Sequence, residues 1–275
     1  MQVLGIDFTS RPTRRKPITC VRAEFDGQTL SVIRRNGKTC ETWTSSTQFE
    51  EELQRPGPWI AGIDFPFGMA RKFIENIGWP QTWREYVLCA ELLGRAGFRE
   101  ALDRYRQDRA EGDREHLRKA DSLAKSVSPQ KLYGVPVGLM FFEGAPRLAK
   151  SGVTIPMLQN GDPDRIVVEA YPGAVARSLI GKQPYKSDSR KAQTAQRLTN
   201  RRELLTKLFE GAAKDRYGFE LIASEDLCDD PTGDELDALL AAIQAAWAWR
   251  NKAKNFGFPT DVDPLEGWIA DPLSR

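Results

Sequence analysis

The chain has 275 residues and a mass of 31.0 kDa, with 40% hydrophobic and 28% charged residues and a mean hydropathy of -0.49. These values exclude a mini-protein, a fibre and a disordered tail, and no apolar run approaches the roughly 20 residues of a membrane span. Forty basic residues against 38 acidic ones leave a net charge of only +2, so any affinity for a polyanion has to come from local patches.

The opening MQVLGIDFTS lacks the basic and apolar stretches of a secretory leader, and the expectation is a cytoplasmic protein. Residues 2 to 8 read as a buried strand that presents Asp7 at its C-terminal end. Ile18 to Phe25 and Leu30 to Arg34 follow as an antiparallel hairpin, turned by Asp26-Gly27-Gln28. Residues 45 to 53 read as a helix capped by Ser46 or Thr47. Trp59 to Phe65 is then a fourth strand, ending in Asp64. It repeats the word Gly-Ile-Asp-Phe of the first strand, for which convergent packing is a simpler origin than duplication.

Residues 69 to 160 have a helical pattern with breaks at Gly78-Trp79-Pro80 and Ser128-Pro129. They read as an insertion between the fourth and fifth strands of a single domain spanning 1–275. Trp79, Trp83, Tyr86 and Phe98 recur there at helical spacing, which marks core more than a platform for stacking bases. The fifth strand, Ile166 to Ala170, exposes Glu169 near its end. Ala174 to Ile180 and a basic stretch from Ser189 to Gly211 read as helices. The last helix begins after Pro231-Thr232-Gly233, with Asp234 at the cap position and Asp237 three residues on, on the same face. The proline-bearing C-terminal stretch reads as a surface wrap.

Residue chemistry narrows the function. Cys20, Cys40, Cys89 and Cys228 show no ligand spacing, which argues against structural zinc and a disulfide framework. The single histidine, His116, lies in the charged stretch DREHLRKAD and reads as a solvated surface residue, so a histidine-based triad is unsupported. Chemistry is left to carboxylates, hydroxyls and lysines. Basic residues crowd Arg11 to Lys38 and Lys182 to Arg216, whereas the chain from Glu220 onward is acidic. Cations for phosphate beside carboxylates for a divalent metal suit a protein that acts on nucleic acid, and ordinary solvated helix faces would give the same pattern.

The order of these elements is that of an RNase H-like fold: a mixed five-stranded α/β sheet with flanking helices, here with a large helical insertion. In that topology Asp7, Asp64 and the late-helix acids Asp234 and Asp237 converge, and such a cluster, with no basic motif beside it, calls for Mg²⁺ or Mn²⁺. The words GIDFTS, GIDFPFG, VVEAYPGA and GDELDALLAAIQAAW together resemble the family catalogued as domain of unknown function 429, predicted nucleases of RNase H-like fold. The resemblance covers most of the chain. It implies a metal-dependent hydrolase of phosphodiester bonds, with Asp7, Asp64, Asp234 and Asp237 as catalytic metal ligands. Glu169 is either a further catalytic carboxylate or a partner of backbone and arginine groups. Where Holliday-junction resolvases carry glutamate on the fourth strand, this chain has Asp64, whose reach is shorter. Thr9 and Ser10 are candidates for binding phosphate, and Lys186, Arg190 and Lys191 for holding a polyanionic backbone. Two other readings stay open: an ATP-binding phosphotransferase of the actin-like or sugar-kinase type, whose first strand also ends in aspartate, and an inactive nucleic-acid-binding scaffold.

Overall fold

A computed structural model describes residues 1–272. Among these residues one mixed sheet of eight strands is flanked by ten α-helices. The sheet begins as a meander: β1 (Gln2–Asp7) pairs antiparallel with β2 (Ile18–Phe25). Along the far side of β2 lie β3 (Thr29–Val32) and β4 (Cys40–Trp43), one against each half of the strand. After α1 (Ser46–Leu53), β5 (Trp59–Asp64) adds parallel to the other side of β1. The helices α2 (Arg71–Ile77), α3 (Trp83–Leu92), α4 (Gly94–Gln107), α5 (Lys119–Ala124) and α6 (Val137–Ser151) follow. The chain returns through β6 (Val153–Thr154) and β7 (Asp162–Glu169), and β7 adds parallel to β5. Beyond it come α7 (Pro172–Ile180), α8 (Ala195–Lys207), α9 (Ala213–Tyr217), β8 (Glu220–Ile222) on the edge of β3, and α10 (Asp234–Arg250). The resulting order is β6-β7-β5-β1-β2-β3-β8.

Side chains alternate across the sheet and divide the core in two. Val3 and Ile60 share a core with α5, α7, α8 and α10, while Leu4, Ile6, Ala61 and Ile63 face α1, α2, α3, α4 and α6. Between Leu236 and Ala248 α10 is buried on every side, which suits a run of alanine and leucine without an amphipathic stripe. The aromatic residues Trp79, Trp83, Tyr86 and Phe98 are buried in the second core, so their periodicity did signal packing.

Several expectations need correction. Three strands escaped the sequence pattern: β4, β6 and β8 have only two to four residues each, too few for an alternation to register. The Asp64 strand is therefore fifth in chain order. The basic stretch from Ser189 to Gly211 is not one helix, because a short turn at Arg190–Ala192 precedes α8 and a wide turn at Leu208–Ala212 follows it. The cap of α1 is Ser45, whose hydroxyl accepts from the Gln48 N–H. His116 is buried, not solvated, with its Nε2 2.7 Å from the Tyr105 hydroxyl. The C-terminal stretch enters the core. Trp268, Ile269, Ala270 and Asp271 are buried, Ile269 bridges to Glu169, and the Ala270 N–H donates to the Glu169 carbonyl.

Candidate metal centre

The repeated Gly-Ile-Asp word has a geometric purpose. In the parallel β1–β5 pair Gly5 lies beside Gly62, Ile6 beside Ile63 and Asp7 beside Asp64. Glycine and aspartate are two apart, so all four residues share the face that carries α10. A Cβ at Gly5 would stand 1.9 Å from the Ala238 carbonyl oxygen, and one at Gly62 would stand 2.3 Å from that of Ala241. The missing side chains let the backbone of α10 lie directly on the two strands. Asp237, next to Ala238, is thereby brought to the C-terminal ends of both. One carboxylate oxygen from each of Asp7, Asp64 and Asp237 falls within 4.8 Å of the others.

Carboxylates this close repel one another, and at Asp7 and Asp64 the charged form is disfavoured. Burial raises the Asp7 pKa well above the usual carboxylate range, Asp234, Asp237 and Asp64 raise it further, and Lys186 opposes them. For Asp64 the value is pushed up to about 7, by burial first; there Lys186 opposes while Asp237, Glu169 and Asp234 add. Asp237 is fully buried and has two donors: the Tyr185 hydroxyl on Oδ1 at 2.6 Å and the Lys186 ammonium on Oδ2. Burial, with the Asp237 charge next, keeps the Tyr185 phenol protonated and therefore a donor. Oxygen ligands of this kind suit a hard cation better than a soft one.

The other expected site residues fall at different distances from this trio. Asp234 is buried nearby as the first residue of α10, not its cap: the cap position is held by Gly233 at φ +80°. The carboxylate of Asp230, which pattern reading missed, does the capping. It accepts from the Glu235 N–H at 3.2 Å and from the Thr232 N–H at 3.0 Å. Burial, then the Asp230 charge, with Asp237 adding and Lys16 and Lys186 opposing, raises the Asp234 pKa.

Glu169 pairs in register with Ile63, not with Asp64, and so points to the opposite face of the sheet. There Arg118 holds it with two hydrogen bonds of 2.5 and 2.7 Å, and the Phe67 N–H donates a third at 2.9 Å. The same guanidinium holds Asp121, and all three side chains are buried. Glu169 thus has backbone and arginine partners on that face.

Thr9 and Ser10 line a cleft of about 440 Å³ over Asp7 and Asp64, together with Lys16, Lys186 and Asp234. Lys16 is paired there with Asp188 at 2.5 Å. Two further clefts, of about 240 and 350 Å³, also reach Asp64 and Lys186. Arg190 and Lys191 sit exposed in the turn before α8 and line none of these three clefts. The acidic cluster does have a basic neighbour after all. Lys186 precedes α10 by almost 50 residues, so no local spacing could have placed it on Asp237.

Fold and site together define a class: a mixed α/β protein whose central parallel strands and last helix gather three aspartates able to hold a metal ion. The chain belongs to the DUF429 family, described as proteins of unknown function, whose profile matches residues 5–262. No curated protein and no solved structure matches it. None of the helices in the described residues is long and apolar enough to cross a membrane.

Proposed function

We propose that this protein is a cytoplasmic metal-dependent nuclease of RNase H-like fold, hydrolysing phosphodiester bonds at the Asp7, Asp64 and Asp237 centre. The observation that carries the reading is the in-register Asp7–Asp64 pair with Asp237 laid across it, all three offering oxygens within 4.8 Å. Strand order supports it: β3-β2-β1-β5-β7, a meander followed by two parallel additions on the far side of β1, is the order of an RNase H-like sheet. The inserted helices then stand between its fourth and fifth strands.

Asp7, Asp64 and Asp237 would hold a divalent ion, which would supply Lewis-acid activation of water and neutralise charge on the phosphoryl oxygens. The chain's own residues do the rest. Asp7 and Asp64, fixed in neighbouring strands, set the spacing of the ligand oxygens, and the Tyr185 hydroxyl orients the Asp237 carboxylate. Thr9 and Ser10 offer hydroxyl and backbone N–H groups to a phosphate entering the larger cleft, where Lys16 and Lys186 contribute positive charge. Asp234 is a candidate auxiliary ligand at the rim of the centre. Arg190 and Lys191 are candidates for backbone contacts farther along a nucleic acid.

The test is Mn²⁺-dependent cleavage of labelled single-stranded, double-stranded and branched DNA and RNA, with Asp7→Asn alongside. Cleavage by the wild type and none by Asp7→Asn is the expected result. If neither protein cuts, yet calorimetry shows Mn²⁺ binding that Asp7→Asn abolishes, the centre stands and the substrate class is wrong. Failure of the wild type to bind Mn²⁺ would remove the proposal.

A further inference from the structure

Lys186 does not behave as a surface lysine. Its side chain is 42% exposed, yet the ammonium turns inward onto Asp237. The segment that delivers it is gripped at three successive carbonyls by side chains of α8. Asn200 donates to Pro184 at 2.8 Å, Arg201 to Tyr185 at 2.8 Å, and Arg197 to Lys186 at 2.9 Å. Two of these supports, Asn200 and Arg201, are themselves buried. On the other side, a Cβ at Gly233 would come within 2.5 Å of the Lys186 Cβ, so the glycine opening α10 makes room for the lysine. Backbone, helix start and partner all hold the ammonium at the centre.

The donors on Asp237 also limit what this carboxylate can do. Tyr185 takes one oxygen and Lys186 the other. A carboxylate has about four lone-pair directions. Two directions remain, one on each oxygen: that on Oδ1 lies beside a neutral hydroxyl and is open to a metal ion, whereas that on Oδ2 lies beside the Lys186 ammonium, which repels a second divalent ion. Charge points the same way. One divalent ion plus the ammonium neutralises the three carboxylates of the trio, and a second ion would add two positive charges beside the ammonium against the single further carboxylate of Asp234.

We propose that Lys186 is the second cation of this centre: the site takes one divalent ion, and the lysine supplies the positive charge that a second ion would otherwise bring. The inference rests on the metal-centre reading above and specifies its stoichiometry.

Mn²⁺ titration by calorimetry and electron paramagnetic resonance tests it on the full chain. The wild type is expected to bind one Mn²⁺ with the spectrum of an isolated ion. Lys186→Met is expected to bind two, doubling the stoichiometry and adding the signature of coupled ions. Lys186→Arg, which keeps the charge, should remain at one. Lys186→Gln repeats the test with a polar side chain, and circular dichroism checks that each variant is folded. The α8 supports hold residues 184–186 through backbone carbonyls, so they survive these substitutions. Two ions in the wild type, or one in both Lys186→Met and Lys186→Gln, would overturn the proposal. An absence of Mn²⁺ binding in the wild type and in every variant marks failure of the metal-centre reading itself.

Discussion

Replacing Gly5 by alanine tests the link between the packing of α10 and the metal centre. The new methyl would lie 1.9 Å from the Ala238 carbonyl oxygen and 2.3 Å from the Ala242 nitrogen, where ordinary contact begins at 3.4 Å. Strand or helix must therefore give by about 1.5 Å, and both obstacles are backbone, with no rotamer to yield. β1 is held between β2 and β5, so the movement falls on α10 and carries Asp237 away from Asp7. Overpacking of this kind costs about 1–3 kcal/mol, and the clash with main-chain atoms puts Gly5→Ala at the upper end. For a chain of this size about 3 kcal/mol corresponds to roughly 6 °C in Tm. Urea denaturation and Mn²⁺ calorimetry are the assays, and the expected result is loss of both stability and metal affinity. Gly97→Ala serves as the control. It lies within α4, its methyl would meet only the Leu93 Cβ at 3.4 Å, and helix propensity favours alanine there by up to about 1 kcal/mol. A Gly5→Ala protein as stable as the wild type with unchanged Mn²⁺ binding would refute the claim that these glycines seat the helix and, through it, the third ligand.

Two more outcomes are expected. Arg118→Met leaves the carboxylates of Glu169 and Asp121 buried without their cation, a loss of about 3–5 kcal/mol in urea denaturation; a change below about 1 kcal/mol would show that the cluster is dispensable. His116 contributes a pH dependence. The Asn76 amide donates to the Tyr105 hydroxyl at 2.9 Å, which leaves that hydroxyl to donate to the His116 Nε2 and favours the neutral imidazole. Burial lowers the His116 pKa; Lys72 and Arg109 lower it further, while Asp113 opposes. The unfolded chain binds a proton near the ordinary value of about 6.5 and the folded chain only below it. This contribution is therefore complete above that value and is lost as pH falls through it. Urea midpoints measured from pH 8 to 5 should fall more steeply for the wild type than for His116→Gln, and parallel slopes would contradict this account.

Much of the architecture was legible in the sequence because its signals are local. The apolar runs of β1, β5 and β7, the Asp26-Gly27 turn and the alanine-rich α10 each fit within one window of the chain, and each is found where the pattern placed it, except that β7 starts at Asp162, four residues before the apolar run. The short strands β4, β6 and β8 were not legible, since a handful of residues carries no period and pairing alone makes them strands. Helix propensity cannot show which polar group caps a helix, and it put Asp234 where Gly233 and the Asp230 carboxylate do the work.

By itself the sequence determined which residues can carry chemistry: aspartates ending two apolar strands and two more opening the last helix, with the single histidine set aside. It also held the repeated glycine two residues before each strand aspartate, although not its reason. Only the tertiary structure decided which carboxylates meet. Strand register sets Asp64 beside Asp7 and turns Glu169 to the opposite face, because neighbouring residues in a strand point to opposite sides. Tertiary packing also brought Lys186 and Tyr185 onto Asp237 across some 50 residues of sequence, and Arg118 onto Glu169 across another 50. Contacts of that separation leave no local pattern in a chain, since the sheet and its helices create them only once they have closed around the site.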